Sequence, residues 1–203
     1  MKRIVVPAAV LTAAGLLSTA CGSTDTGDHT VPAMTATSAM PATPAPATSP
    51  VADHNDEDVM FAQMMIPHHR QAVEMAKLAE DHAAGSQVKE LAKKIEAAQD
   101  PEIRTMSGWL TSWGVQVPGG RTMPMDHGMP GMMSAKDMKK LEGLKGAAFD
   151  KAFLTMMIQH HEGAVAMAEQ EQAAGVYEPA KQMAASIVSS QSAEITRMKQ
   201  LLR

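Results

Sequence analysis

The chain has 203 residues, a formal charge of −4 and only 3% aromatic residues. It therefore carries neither the basic footprint of a nucleic-acid binder nor the stacking platforms of a single-strand binder. Its one cysteine excludes an internal disulfide, and its 19 methionines are an excess that the fold or the function must explain.

Lys2 and Arg3 precede an apolar run from Ile4 to Leu17, and Ser18-Thr19-Ala20-Cys21 follows as a small-residue cleavage site. The run is too short to span a bilayer comfortably, so residues 1–20 are predicted to be an export signal. Cys21 stands where a bacterial lipoprotein signal places the residue that becomes the lipidated N-terminus, with Ser18 in place of the usual leucine. The alternative is an ordinary cleaved signal with a spare cysteine. Either way the expected location is extracytoplasmic, and a lipidated Cys21 anchors the chain to the cell membrane.

Residues 21–52 are dominated by Thr, Ser, Ala and Pro, with prolines at 32, 41, 44, 46 and 50. This composition cannot bury enough apolar surface to order itself, so a disordered linker is expected. His29, Met34 and Met40 within it are read as chance placements.

Residues 53–203, 203 − 52 = 151 in all, have the size of one domain. Asp53 to Asp58 is acid-rich, as suits a helix N-terminus. Phe61, Met65, His68, Ala72, Met75, Ala79 and His82 then step by four and three alternately, the spacing of a bundle seam. Pro67 lies inside that seam, where it removes one backbone hydrogen bond and is expected to bend the helix. The seam recurs 92 residues later as Phe153, Met157, His160, Ala164 and Met167. Gly85 and Gly175 are read as helix stops, and the helices after them also match at that offset, Gln99 with Gln191, Glu102 with Glu194 and Met106 with Met198. Each half is thus predicted to be a helical hairpin, residues 53–113 and 135–203, and two hairpins make an all-α four-helix bundle. Between them, residues 114–134 form a long connection rich in Gly, Pro and Met.

Hairpin arithmetic places candidate side chains at common depths. His68 lies 17 residues before Gly85 and Glu102 lies 17 after it, while Met64 and Met106 are each 21 away. On one helix Met64 with His68, and Met65 with His69, are four apart; the second copy offers Met156 with His160 and Met157 with His161. Thioether sulfur and imidazole suit Cu(I), with Ag(I) as a second soft ion, and thioether survives an oxidising compartment. Met106 and Met198 stand ready to complete the layers from the partner helices, and Gln99, Glu102, Gln191 and Glu194 to support them. Met75, Met167 and Met183 are read as ordinary core fillers. In the connection, Met123, Met125, His127 and Met129 are the second candidate metal set, because Gly and Pro there prevent a helical apolar face.

Two other readings stay open. One is a metalloenzyme using His68, His160, Glu102 and Glu194 with iron, manganese or copper, although the Glu-x-x-His of a di-iron bundle is missing. The other is a scaffold whose polar seam, His68 and His160 bonded to Glu102 and Glu194, only sets helix register. No nucleophile with an adjacent base is evident, so an enzyme is not expected.

Several motifs run in order along residues 53–203. They are Met64-Met65-Ile66-Pro67-His68-His69, Gln99-x-x-Glu102-Ile103-x-x-Met106, Gly131-Met132-Met133-Ser134, Phe149-Asp150-x-x-Phe153, Met157-Ile158-x-His160-His161 and Gln191-x-x-Glu194-Ile195-x-x-Met198. Together they resemble the domain-of-unknown-function family 305, secreted or lipid-anchored bacterial proteins with a ferritin-like helical bundle. The resemblance implies copper and silver binding outside the cytoplasm, for sequestration, tolerance or hand-over of the metal.

Overall fold

A computed structural model describes residues 53–119 and 129–203. The predicted signal, Cys21, the linker to residue 52, and Met123, Met125 and His127 lie outside the described residues. Five helices follow in order: α1 Asp56–His82, α2 Ser86–Ser112, α3 Ala135–Glu142, α4 Gly146–Ala174 and α5 Glu178–Leu201. There is no strand among the described residues, and no helix among them is long and apolar enough to cross a membrane. α1 packs on α2 and α4 on α5 as two hairpins, joined mainly through α1 against α4. The all-α bundle expected from the repeat is therefore present. The short α3 was not anticipated: it buries Met138 and Leu141 and is cut from α4 by Gly143-Leu144-Lys145.

Local chemistry sets the ends. Asn55 caps α1 by accepting from the Asp58 amide at 3.0 Å, while Asp58 accepts from the Asn55 amide at 2.6 Å, a reciprocal capping box. α1 runs through Pro67, and α2 through Pro101, without interruption. Gly85 and Gly175 do stand at helix boundaries, yet both have negative φ, −77° and −68°, so neither is a left-handed stop. What they permit is close approach. A Cβ on Gly175 would collide with the Glu171 carboxyl and sit 2.8 Å from Asp58 Oδ1; one on Gly85 would lie 3.1 Å from Asp150 Oδ2.

Those two aspartates join the hairpins. Asp58, from the first, accepts from the Val176 amide at 3.1 Å and the Tyr177 amide at 2.9 Å, at the start of α5. Asp150, 92 residues later, accepts from the Ala84 amide at 3.0 Å and the Gly85 amide at 2.8 Å, at the start of α2. Each aspartate thereby satisfies the amides of an N-cap residue and the residue before it, and does so across the two halves.

Beside Asp58 lies Glu171, fully buried, where the first repeat has Ala79. Burial, then the Asp58 carboxylate next to it, push the Glu171 carboxyl up to about 8. Burial also works against ionised Asp58, but the amides of Asn55 and Tyr177, the Glu171 carboxyl and the Val176 amide together outweigh it and hold that carboxyl below its ordinary value. Folded Glu171 thus keeps a proton that the unfolded chain loses above about 4.5. Stability must fall as pH rises from there through about 8. Glu171→Gln is expected to flatten this decline in the thermal midpoint; an unchanged pH profile would remove Glu171 as its source.

The core is in two pieces. One apolar cluster joins the C-terminal half of α1 and the start of α2 to Phe149, Phe153, Leu154, Met157 and Ile158 of α4 and Met198 of α5. The other joins Phe61, Ala62, Met65 and Ile66 of α1 to Met106 and Leu110 of α2, Ala164, Met167 and Ala168 of α4, and the start of α5. Along all four long helices the residues between the clusters are polar: His68 and His69, Gln99 and Glu102, His160 and His161, Gln191 and Glu194.

Candidate metal centre

A polar layer across the middle of a bundle interrupts hydrocarbon packing that would otherwise stabilise it, by roughly 1.5–3 kcal/mol per large side chain. All four histidines of the layer are at most 1% exposed, and Gln99 and Gln191 are 3% exposed. The rings of His68 and His160 lie 3.7 Å apart between centroids, tilted by 39°, at the centre of the α1–α4 contact. His69 and His161 turn the other way, each toward its own hairpin partner. Their Nε2 atoms lie 2.7 Å from Glu102 Oε2 and from Glu194 Oε2, so the repeat is reproduced in geometry as well as sequence.

This arrangement corrects one expectation. The polar network was expected to join His68 and His160 to Glu102 and Glu194, but the adjacent histidines make those bonds. Successive residues on a helix lie about 100° apart, so equal depth in a hairpin does not fix which neighbour of a pair faces the partner.

The acceptors determine the protonation pattern. A carboxylate oxygen accepts, so Glu102 and Glu194 each take an N–H from Nε2 of His69 and His161. His68 Nε2 lies 3.1 Å from the carbonyl oxygen of Pro130, so that nitrogen carries the proton it donates. Nδ1 of His68, His69 and His161, both ring nitrogens of His160, and Oε1 of Gln99 and Gln191 are buried without a partner among the described residues. Burial first, then the neighbouring His69, push His68 down to about 3; burial and then His68 carry His160 well below its ordinary value. Both rings are therefore neutral in the physiological range, with lone pairs available. An imidazole that donates one N–H to a carboxylate or carbonyl and presents the other nitrogen bare is the pattern of a metal ligand and its supporting partner.

The connection closes over this centre. Gly131, with φ of +78°, rests on α4 so tightly that a Cβ would lie 2.5 Å from the Gln159 carbonyl oxygen and 2.9 Å from that of His160. Opposite it, a Cβ on Gly163 would overlap the Pro130 carbonyl. On the α1 side the Gln71 amide clasps the Met133 backbone twice, donating to its carbonyl at 2.9 Å and accepting from its N–H at 2.7 Å. Positions 71 and 163 correspond across the repeat, and their difference, Gln against Gly, is what lets one loop lie across both helices. Gly163→Ala gains about 1 kcal/mol in helix propensity but drives a methyl into fixed backbone. The expected result is an intact bundle with the loop detached, seen as protease cleavage between 129 and 133; an uncut loop would mean that close contact is not what seats it.

The remaining candidates divide. Met65 and Met106 are fully buried in one apolar cluster, Met157 and Met198 in the other, on either side of the histidine layer. Met64 and Met156 are half-buried and line grooves on the outside of the bundle, and Met129 is half-buried beside Pro130. Among the described residues, no three or more His, Cys, Asp or Glu side chains stand together to hold an ion. An ion at this layer is offered imidazole, with thioether as the further donor, a set that favours soft over hard cations. Sequence reasoning missed the Pro130 carbonyl, Gln71 and the aspartate clasps. The clasps had a signal in the repeated pair Asp58 and Asp150, and Gln71 had one in its mismatch with Gly163.

No curated protein matches the chain. The fold is similar to that of a DUF305 protein from Streptomyces coelicolor described as secreted, which is 36% identical, with 75% of this chain and 92% of that one covered and a TM-score of 0.66. A DUF305 fragment from Deinococcus radiodurans is 32% identical over 73% of this chain and 96% of its own, with a TM-score of 0.66. CopM in its Cu(II)-bound form is 35% identical over 71% of this chain and 95% of its own, with a TM-score of 0.64. CopM structures in Cu(I)-bound and Ag-bound forms are likewise similar, at 34% and 33% identity. The family model described as Domain of unknown function (DUF305) matches residues 58–202, and the chain belongs to that family.

Proposed function

We propose that this protein binds copper outside the cytoplasm, tethered to the membrane through lipidated Cys21, and sequesters Cu(I) or hands it on, with Ag(I) as a second cargo. The observation that carries the reading is the buried pair His68 and His160, in ring contact and with unpartnered nitrogens among the described residues. A protein maintains such a pair at a cost in stability only where the lone pairs have a use. Support also comes from CopM, a similar protein whose structures hold Cu(I), Cu(II) and Ag, and from the secreted description of the Streptomyces relative.

The chemistry follows from the neutral donors. Imidazole and thioether carry no charge, so a bound monovalent ion brings one positive charge into the layer, and Glu102 and Glu194 behind His69 and His161 offset it. Met64, Met65 and Met106 on one side, and Met156, Met157 and Met198 on the other, are the sulfur donors nearest in sequence or in cluster; Met123, Met125, His127 and Met129 form a capture tract in the connection. A carrier is favoured over a His/Glu metalloenzyme because Glu102 and Glu194 are engaged with His69 and His161. Titration of the full chain with Cu(I) against a competing chelator should give tight uptake and a raised thermal midpoint. Affinity no better than that of a Met-poor control would end the proposal.

A further inference from the structure

A cavity of about 260 Å³ opens on the outside of the bundle between α1 and α4, lined by Met60, Phe61, Met64, Met167 and Pro130, together with Glu57 and Gln170. Met167, at 7% exposed, belongs to the second apolar cluster and Met64 packs against that cluster, but packing does not account for Met60. Met60 is 40% exposed, one of three large apolar side chains so placed among the described residues, and gains little from burial where it stands. The internal repeat supplies a control. The related groove in the second half is lined by Met156, Ala152, and Leu141 and Leu144 from α3. Met60 there becomes Ala152, and the counterpart of Met167 is Met75, which is fully buried. One half thus gathers three thioethers around an open cavity where the other has one thioether and leucine.

We propose that Met60, Met64 and Met167 form a second site, facing solvent, for a monovalent soft cation, which loads the buried histidine pair. This rests on the copper-binding reading above. Three neutral sulfurs match the preference of Cu(I) or Ag(I) for thioether, and Glu57 in the lining supplies negative charge. The site adjoins the histidines through two links: Met64 lies one helical turn before His68, and Pro130, which lines the cavity, accepts from His68 Nε2. Inward transfer is a ligand exchange at constant oxidation state, in which a sulfur–metal bond breaks as a nitrogen–metal bond forms.

Ag(I), diamagnetic and redox-inert, is the probe. In the full chain carrying methyl-labelled methionine, the Met60, Met64 and Met167 methyl resonances are expected to shift together as Ag(I) is added. Met60→Leu with Met167→Leu, swaps that conserve volume, should bind one equivalent fewer than the wild type while retaining the equivalent lost in His68→Leu. Unmoved Met60 and Met167 resonances in a wild type that takes up Ag(I), or an unchanged stoichiometry in the leucine variant, overturn this site and leave the copper-binding reading standing. No uptake by the wild type overturns both. The methyl shifts are read on the wild type, so misfolding of the variant does not shelter the proposal.

Discussion

Replacing His68 and His160 together with leucine is expected to make the protein more stable and a much poorer copper binder. Both rings are fully desolvated, and three of their four nitrogens lack a partner among the described residues. Each unsatisfied buried polar atom costs about 1–3 kcal/mol, and leucine would also join the two apolar clusters across the layer. The one bond lost is His68 Nε2 to the Pro130 carbonyl. A gain of about 1–3 kcal/mol, some degrees in thermal midpoint for a domain of this size, follows. The acid limb should change too. His68 ionises far lower in the folded chain than in the unfolded one, so its contribution to stability is complete above about 6.5 and is lost as pH falls toward about 3. The double variant should hold its stability further into acid. Against that gain, Cu(I) affinity should drop at least about a hundredfold, equivalent to roughly 3 kcal/mol. A variant both less stable and equally tight for Cu(I) would show that the pair serves the fold alone.

The repeat made much of this centre legible before any coordinates. A 92-residue offset tied His68-His69 to His160-His161 and Glu102 to Glu194, and the helical period placed them inside a bundle. Depth could be read because rise per residue is constant. Direction could not, because it depends on how each hairpin rolls against the other; hence His69, not His68, meets Glu102. The Pro130 carbonyl lay beyond reach for a different reason. Every residue offers a carbonyl, so composition marks none of them, and only the contact of Gly131 with Gly163 selects this one. The methionines show a third limit. Periodicity put Met65, Met106, Met157 and Met198 on buried faces, but it does not distinguish a sulfur that fills a core from one that serves as a ligand.

The largest loss of stability is expected from Asp58→Ala, in the range of about 3–5 kcal/mol. Asp58 is fully buried and accepts from three backbone amides, those of Asn55, Val176 and Tyr177. Bonds to an ionised carboxylate contribute about 1.5–3 kcal/mol each, and removal of the acceptor takes it from three donors at once, although Val176 itself is exposed. Asp150→Ala should cost less, about 1–3 kcal/mol, because Asp150 is half-buried and Ala84, one of its two partners, is exposed to water. α1 spans 27 residues between the two clasps, on the order of 40 Å at 1.5 Å per residue, so the effects should add. Placement at the two ends has a mechanical sense. The histidine layer weakens the α1–α4 contact at its middle, where hydrocarbon would otherwise seal it, and charged clasps at both ends keep the hairpins in register around that gap. Chemical denaturation of the single and double variants measures this directly. A loss below about 1 kcal/mol for Asp58→Ala, or strong non-additivity, would mean that the α1–α4 interface holds its register without them.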